Sequence, residues 1–147
     1  MDKGSTILFV DDSADDCELM RYALTKARVP NPVIELQDGE EAIYYLSGQG
    51  QFANRDRYPL PCLIITDLKM PRVNGFELLE WLRDKPEFHR VPKIVLSASG
   101  HDEDKMRARQ SGACAYFVKP AQLKHLVEVV RKMDEDWISE NCPLAEA

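Results

Sequence analysis

The chain of 147 residues is 44% hydrophobic and 30% charged, with a formal net charge of −6. This size and composition predict one globular domain. The negative charge argues against binding to nucleic-acid phosphates, which requires a basic surface. The sequence has no apolar run of membrane-spanning length and no signal-peptide pattern, so we expect a cytoplasmic protein with neither nucleic acid nor membrane among its partners.

Five short apolar runs alternate with helical patterns along the chain. The runs are Thr6–Val10, Val33–Leu36, Cys62–Thr66, Lys93–Leu96 and Cys114–Val118. Such alternation is typical of a parallel sheet with helices on both faces. The sequence therefore predicts an α/β domain.

The first connections carry clear local signals. Ser13, followed three residues later by Asp16, has the spacing of a capping box and predicts the start of the first helix. A short helix at Glu40–Leu46 leads into Ser47–Pro61, which is rich in turn-forming residues. We expect this segment to be a long loop that could serve as a partner surface.

The last two helices differ in their apolar content. His101–Ser111 has Met106 as its one large apolar residue, so we expect this helix to be held weakly. The final helix has an apolar face that extends as far as Trp137 and Ile138, beyond what one small sheet needs. Residues 141–147 are expected to be a frayed tail. The apolar face begins with Leu123, Leu126, Val127 and Val130.

The four cysteines, Cys17, Cys62, Cys114 and Cys142, lie far apart and form no C-x-x-C motif. Their spacing is typical of neither a zinc site nor a redox pair. A domain of this size needs no disulfide bond. We therefore expect all four to be small buried side chains in a reducing compartment.

Polar residues follow four of the five predicted strands. Asp11 and Asp12 come after the first strand, Asp67 after the third, Ser97 after the fourth and Lys119 after the fifth. Each of them alone could be a turn or surface residue. Because ligands bind at the carboxyl ends of the strands in an open parallel sheet, their joint placement predicts one functional site.

The residue types at these positions suit phosphoryl transfer. Clustered carboxylates bind Mg²⁺, which takes one or two protein carboxylates together with phosphate oxygens. Asp67, on a strand predicted to be central, is the best candidate for a nucleophile. The ammonium of Lys119 and the hydroxyl of Ser97 could then stabilise charge on the phosphoryl oxygens. Neither glycine-rich nucleotide-binding motif occurs in the sequence.

At these positions the sequence resembles the receiver domain of two-component response regulators, over about residues 5 to 133. The resemblance implies a flavodoxin-like, doubly wound sheet of five parallel strands in the order 2-1-3-4-5, with five helices. It places the receiver domain in residues 1–133 and an extension of the last helix with a tail in residues 134–147. The matching motifs are Val10-Asp11-Asp12, Thr66-Asp67 with Met70-Pro71 and Gly75, Leu96-Ser97-Ala98, and Tyr116-Phe117-Val118-Lys119-Pro120.

The resemblance implies specific metal and phosphoryl contacts. Asp67 would take a phosphoryl group from a phosphohistidine on a sensor histidine kinase. Asp12, Asp67 and the backbone carbonyl of Lys69 would ligate Mg²⁺, and Asp11 would act mainly through metal-bound water. Lys119 would pair with the phosphoryl oxygens.

The resemblance also implies how the site would signal. In the active state Ser97 would hydrogen-bond to the phosphoryl group, and Tyr116 would turn inward. The Lys119–Pro120 bond is expected to be cis, which would direct the lysine. Output would pass through the face formed by the fourth helix, the fifth strand and the fifth helix.

The long loop and the last helix resemble stand-alone receivers that accompany phytochrome-type sensor kinases. In such proteins the extended last helix contributes to a homodimer, together with the output face, and Trp137 with Ile138 would be the anchor. The alternative is that Trp137 covers the end of the sheet.

Several functions share these residues. We favour a signalling switch that catalyses only its own phosphorylation and dephosphorylation. The same site would serve a phosphate sink, or a phosphorelay intermediate that passes the group to a histidine phosphotransfer protein. An aspartate-nucleophile phosphohydrolase usually has a second acid where Lys69 stands, and an unphosphorylated scaffold would not need the intact set of site residues.

Overall fold

The computed structural model describes residues 5–142, in which five parallel strands form one sheet in the order β2-β1-β3-β4-β5. This confirms the predicted doubly wound topology, and the predicted strand limits agree to within one residue. The strands are β1 (Ile7–Val10), β2 (Val33–Leu36), β3 (Leu63–Thr66), β4 (Lys93–Ser97) and β5 (Ala115–Val118). The helices are α1 (Ala14–Lys26), α2 (Gly39–Ser47), α3 (Gly75–Arg83), α4 (Asp102–Ser111) and α5 (Leu123–Met133).

Side chains that alternate along the strands build a core on each face of the sheet. In β1, Ile7 and Phe9 pack with the apolar faces of α1 and α5, whereas Leu8 and Val10 pack with α2 and α3. The strand is buried on both faces, which explains why its sequence is continuously apolar. As expected, α4 contributes little to the core, since its buried residues are Ala108 and Ser111.

Caps fix the helix starts at the carboxyl end of the sheet. Ser13 Oγ accepts a hydrogen bond from the Asp16 N–H at 3.2 Å, which confirms the predicted start of α1. Gly75, the first residue of α3, donates its N–H to the Leu68 carbonyl at 2.9 Å. A Cβ at Gly75 would overlap the Asp67 carbonyl oxygen, so glycine lets α3 pack directly on the turn that follows β3.

The segment between α2 and β3 is more ordered than a long loop. It contains a 3₁₀ turn, Gly50–Ala53, and buries Phe52 against the ring of Tyr45 at a centroid distance of 5.1 Å. Arg55 donates hydrogen bonds to the carbonyls of Tyr45 and Leu46 at the end of α2, both at 2.9 Å. The Tyr45 carbonyl also accepts from the Gly48 N–H at 3.1 Å, whereas Arg55 gives the Leu46 carbonyl a donor that the end of the helix does not supply.

The last helix continues past Met133 as a π-helical segment, Asp134–Ile138, and a short turn, Ser139–Asn141. Ile138 is 1% exposed and belongs to the core between α1 and α5. The prediction that it anchors a dimer is therefore wrong, because this chain's own core already covers it. Trp137 packs edge-on against Phe117 of β5, with 6.3 Å between the ring centroids, which supports the alternative that Trp137 covers the end of the sheet.

A disulfide bond joins Cys62, next to β3, to Cys142. Asn31 Nδ2 donates to the carbonyls of Ser5 and Cys142, at 3.0 and 2.9 Å. The prediction that all four cysteines are free is therefore wrong for Cys62 and Cys142. The prediction of a frayed tail is wrong for residues 141 and 142, which these contacts hold in place. No local spacing reveals a pair 80 residues apart. Residues 143–147 of the predicted tail lie outside the described part of the chain.

The two remaining cysteines are free and differ in their surroundings. Cys17 is buried in the core, as expected, whereas Cys114 is exposed, contrary to expectation. Within residues 5–142, none of the helices combines the length and the apolar character that a membrane span requires.

Candidate functional site

The carboxylate of Asp67 lies at the carboxyl end of β3, in the middle of the sheet. Its Oδ1 accepts a hydrogen bond from the Leu68 N–H at 2.7 Å, and its Oδ2 accepts one from Lys119 Nζ at 2.8 Å. The side chain is 11% exposed, so the carboxylate is held firmly but can be reached from solvent.

Three carboxylates form an acidic cluster at this end of the sheet. Oxygens of Asp11, Asp12 and Asp67 lie within 4.8 Å of one another, with Asp12 exposed and the other two buried. Asp11 Oδ1 accepts from the Ser13 N–H at 2.9 Å. Asp11 Oδ2 forms an ion pair with Lys119 Nζ at 2.8 Å, outside hydrogen-bond geometry, and this buried oxygen has no hydrogen bond within the described residues.

A hard divalent cation fits this cluster. Carboxylate oxygens are its preferred ligands, and the buried Asp11 Oδ2, which has an ion-pair contact but no hydrogen bond, could take a cation as a partner. The predicted third type of ligand, the backbone carbonyl of Lys69, belongs to an exposed residue two positions after Asp67.

Lys119 supplies the positive charge of the site. Its Nζ lies 2.8 Å from both Asp11 and Asp67, and its backbone N–H donates to the Ser97 carbonyl at 2.7 Å. No peptide bond within the described residues is cis, so the prediction for Lys119–Pro120 is wrong. The trans form is the intrinsically favoured one, and the contacts of the lysine itself direct its side chain.

Asp16 is a site residue that sequence reasoning missed. Its Oδ2 accepts a hydrogen bond from Lys119 Nζ at 2.7 Å. The spacing from Ser13 identified Asp16 only as a capping residue, although the same turn of α1 also brings its carboxylate to the lysine. Its position in the first turn of α1, directly after the loop that carries Asp11 and Asp12, was the available signal.

The environment shifts the pKa of two of these groups. Burial raises the pKa of Asp11 above its ordinary value, against the opposing effects of the Lys119 ammonium and the Ser13 N–H. Burial also acts to lower the pKa of Lys119, but its interactions with Asp11, Asp16 and Asp67 outweigh this and raise it. Lys119 therefore remains charged at neutral pH.

Ser97 and Tyr116 are linked through the residues between the site and α4. Ser97 is 2% exposed, and its Oγ accepts a hydrogen bond from the Ser99 N–H at 3.2 Å. The Tyr116 hydroxyl donates to the Ser99 carbonyl at 2.8 Å. The structure therefore brings Asp11, Asp12, Asp67 and Lys119 together, and connects Ser97 to Tyr116 through Ser99.

Comparisons with known proteins agree with this geometry. The sequence-family model of the response regulator receiver domain matches residues 7–131 of this chain. Response regulator Rcp1 of Synechocystis sp. is 31% identical over 132 residues, which are 90% of this chain and 88% of that protein.

Solved structures show the same relationship. Phosphorylated RcpA, a cyanobacterial phytochrome response regulator, superposes with a TM-score of 0.84 at 33% identity, over 93% of this chain and 96% of that one. RPA3017, a response regulator in red light signalling of R. palustris, superposes with a TM-score of 0.86 at 28% identity, over 97% of this chain and 98% of that one. A Mn²⁺-bound structure of Rcp1 superposes with a TM-score of 0.80 at 28% identity, also over 97% of this chain and 98% of that one. The chain belongs to the family of response regulator receiver domains, and its relatives include phytochrome response regulators.

Proposed function

We propose that Asp67 accepts a phosphoryl group from a phosphohistidine on a sensor histidine kinase, and that the chain acts as a phosphorylation-dependent signalling switch. The observation that carries this proposal is the position of the Asp67 carboxylate, 2.8 Å from the Lys119 ammonium and within 4.8 Å of two further carboxylates. An accessible carboxylate beside a fixed cation is suited to nucleophilic attack on phosphorus.

The step is a transfer between two phosphoryl carriers. An oxygen of Asp67 forms a bond to phosphorus while the bond from phosphorus to the imidazole nitrogen breaks. The imidazole leaves with the bonding electron pair and takes up a proton from solvent. Lys119 is positioned to bind a phosphoryl oxygen in place of one of its present carboxylate partners, which stabilises the charge that spreads over these oxygens.

The acidic cluster is the proposed Mg²⁺ site. Asp11, Asp12 and Asp67, with the Lys69 carbonyl, would hold the ion, which when bound would neutralise negative charge on the phosphoryl oxygens. The hydrogen bond from the Ser13 N–H holds the carboxylate of Asp11, which is buried at 0% exposure, in its place within this group.

The proposed output surface is the face of α4, β5 and α5. If the Ser97 hydroxyl turns to the phosphoryl group, it releases the Ser99 N–H, and the Tyr116 hydroxyl is bonded to the carbonyl of that same Ser99. Helix α4, which buries only Ala108 and Ser111, is free to adjust because few contacts hold it. The sensor kinase we propose is of the phytochrome type, since RcpA and RPA3017 are among the relatives.

Intact-protein mass spectrometry after incubation with acetyl phosphate tests the chemistry. We expect the parent chain to gain one phosphoryl group with Mg²⁺ and none in the presence of a chelator. Asp67→Asn should show no gain, because the nucleophilic oxygen is replaced. Asp84→Asn is the matched control, since it removes the same charge from an exposed position at the end of α3 and should be phosphorylated like the parent. Phosphorylation of Asp67→Asn to the parent level would refute the assignment.

A further inference from the structure

Three carboxylates surround Lys119, and Asp16 is the one that lies outside the acidic cluster. Its Oδ2 is 2.7 Å from Nζ, with hydrogen-bond geometry. Asp11 and Asp67, in contrast, belong both to the lysine and to the cluster that fits a divalent cation. A cation bound there would therefore compete with Lys119 for two carboxylates, whereas Asp16 would interact with the lysine alone.

This competition has an electrostatic consequence. A divalent cation bound by Asp11 and Asp67 neutralises the charge that attracts Lys119, and it also repels the ammonium at short range. The Lys119 side chain is only 16% exposed, so an ammonium without a counter-charge would be unfavourable at this place. Asp16 supplies that counter-charge.

Helix α1 holds Asp16 in a fixed place. The Asp16 N–H donates to Ser13 Oγ, and the Cys17 N–H donates to the Ser13 carbonyl at 3.0 Å, so the first turn is capped and regular. Lys119 is thus held at two points, by the Ser97 carbonyl at its backbone and by Asp16 at its ammonium.

We propose that Asp16 is a positioning residue that keeps the Lys119 ammonium beside Asp67 while a divalent cation occupies the acidic cluster. The role rests on the proposed function, in which Lys119 must meet the incoming phosphoryl group. Asp16 acts through Lys119 and does not itself touch the reacting atoms.

Asp15 provides a matched control. It lies in the same first turn of α1 and is exposed, so Asp15→Asn and Asp16→Asn remove the same charge from the same helix end. The rate of Asp67 phosphorylation is measured against acetyl phosphate concentration at saturating Mg²⁺. In Asp16→Asn we expect the maximal rate to fall about tenfold, the order for one hydrogen bond between charged groups, with little change in the half-saturating concentration. Asp15→Asn should stay within about twofold of the parent, and Asp16→Glu should recover most of the rate.

A second measurement does not depend on phosphorylation. Nuclear magnetic resonance of the lysine ammonium groups, with the Lys119 signal assigned by its loss in Lys119→Ala, is recorded before and after adding Mg²⁺. We expect the Lys119 signal to persist with Mg²⁺ in the parent and in Asp15→Asn, and to be lost to exchange with water in Asp16→Asn.

The two measurements separate the two proposals. If Asp16→Asn matches Asp15→Asn in rate and in the Lys119 signal, Asp16 has no positioning role and the inference is overturned. If the parent is not phosphorylated on Asp67, the proposed function fails, and the Lys119 signal alone decides whether Asp16 holds the lysine.

Discussion

The two ends of the parallel sheet are built from opposite kinds of interaction. At the carboxyl end, three carboxylates surround the ammonium of Lys119, and a buried oxygen of Asp11 has this ion pair but no hydrogen bond. At the amino end, the disulfide between Cys62 and Cys142 and the hydrogen bonds of Asn31 tie distant segments together. From this difference we expect the amino end to contribute more to stability, and the crowded charges at the carboxyl end, where we propose the phosphoryl site, to cost stability.

Breaking the disulfide is the strongest test of this division. Cys142→Ser removes a crosslink between residues 80 apart in the sequence, and we expect it to lower the free energy of unfolding by about 4.5 kcal/mol, as the loop-closure model predicts. Denaturant unfolding measures the loss, and mass spectrometry should show unchanged phosphorylation of Asp67. Cys114→Ser, at an exposed free thiol, is the control and should leave stability unchanged.

A thiol titration tests directly whether Cys62 and Cys142 form a disulfide bond in the folded protein. The unfolded, unreduced protein should show two reactive thiols, those of Cys17 and Cys114. Four reactive thiols, or a loss of phosphorylation in Cys142→Ser, would remove the contrast between the two ends.

Adding Mg²⁺ tests the carboxyl end. Because the ion relieves repulsion among Asp11, Asp12 and Asp67, we expect it to stabilise the fold, by about 2.7 kcal/mol at one hundred times its dissociation constant. Asp12→Asn should abolish most of this gain, since Asp12 is an exposed member of the cluster whose replacement leaves the core intact. Denaturant unfolding with and without Mg²⁺ measures the effect. An equal gain in Asp12→Asn and in the control Asp84→Asn would place the ion elsewhere.

The carboxyl end was also the part of the molecule that the sequence predicted well. Strand ends are marked by the change from apolar runs to Asp11, Asp67, Ser97 and Lys119, and the topology of a parallel sheet brings such ends together. The alternation of apolar runs with helical patterns predicted a parallel sheet covered on both faces, and the order of its strands was implied by the resemblance to receiver domains. Asp16 escaped prediction because its contact with Lys119 depends on how α1 packs, whereas its capping spacing is local.

The amino end was predicted poorly because its interactions join residues that are distant in sequence. The pairing of Cys62 with Cys142, and the burial of Ile138, depend on where the last helix ends relative to β3. Residues 47–61 have the composition of a loop, and only the assembled fold shows that Phe52 and Arg55 close it against α2. Amino-acid composition indicates the local conformation that a segment prefers, whereas these contacts depend on the tertiary structure and so could not be predicted from it.

The smallest expected effect comes from a single hydroxyl near the amino end. Tyr45 is 0% exposed and donates to the Pro59 carbonyl at 2.7 Å, which holds the chain just before β3. Burial raises the pKa of Tyr45 to about 12, while an unfolded tyrosine titrates near pH 10. Below pH 10 both states keep the proton. As the pH rises from 10 to 12 the unfolded chain loses it first, so the stability that depends on the neutral hydroxyl is lost.

Tyr45→Phe isolates this contribution. At pH 7 we expect a loss of about 1 kcal/mol in the free energy of unfolding, because the Pro59 carbonyl loses its donor. Between pH 9 and pH 11 the parent should lose about 1 kcal/mol more than the variant, since only the parent has a buried hydroxyl to titrate. Tyr22→Phe, at a side chain 58% exposed, should follow the parent at both pH values. If Tyr45→Phe shows the same pH dependence as Tyr22→Phe, the hydroxyl does not tie the segment to α2, and the disulfide and Asn31 alone hold the amino end together.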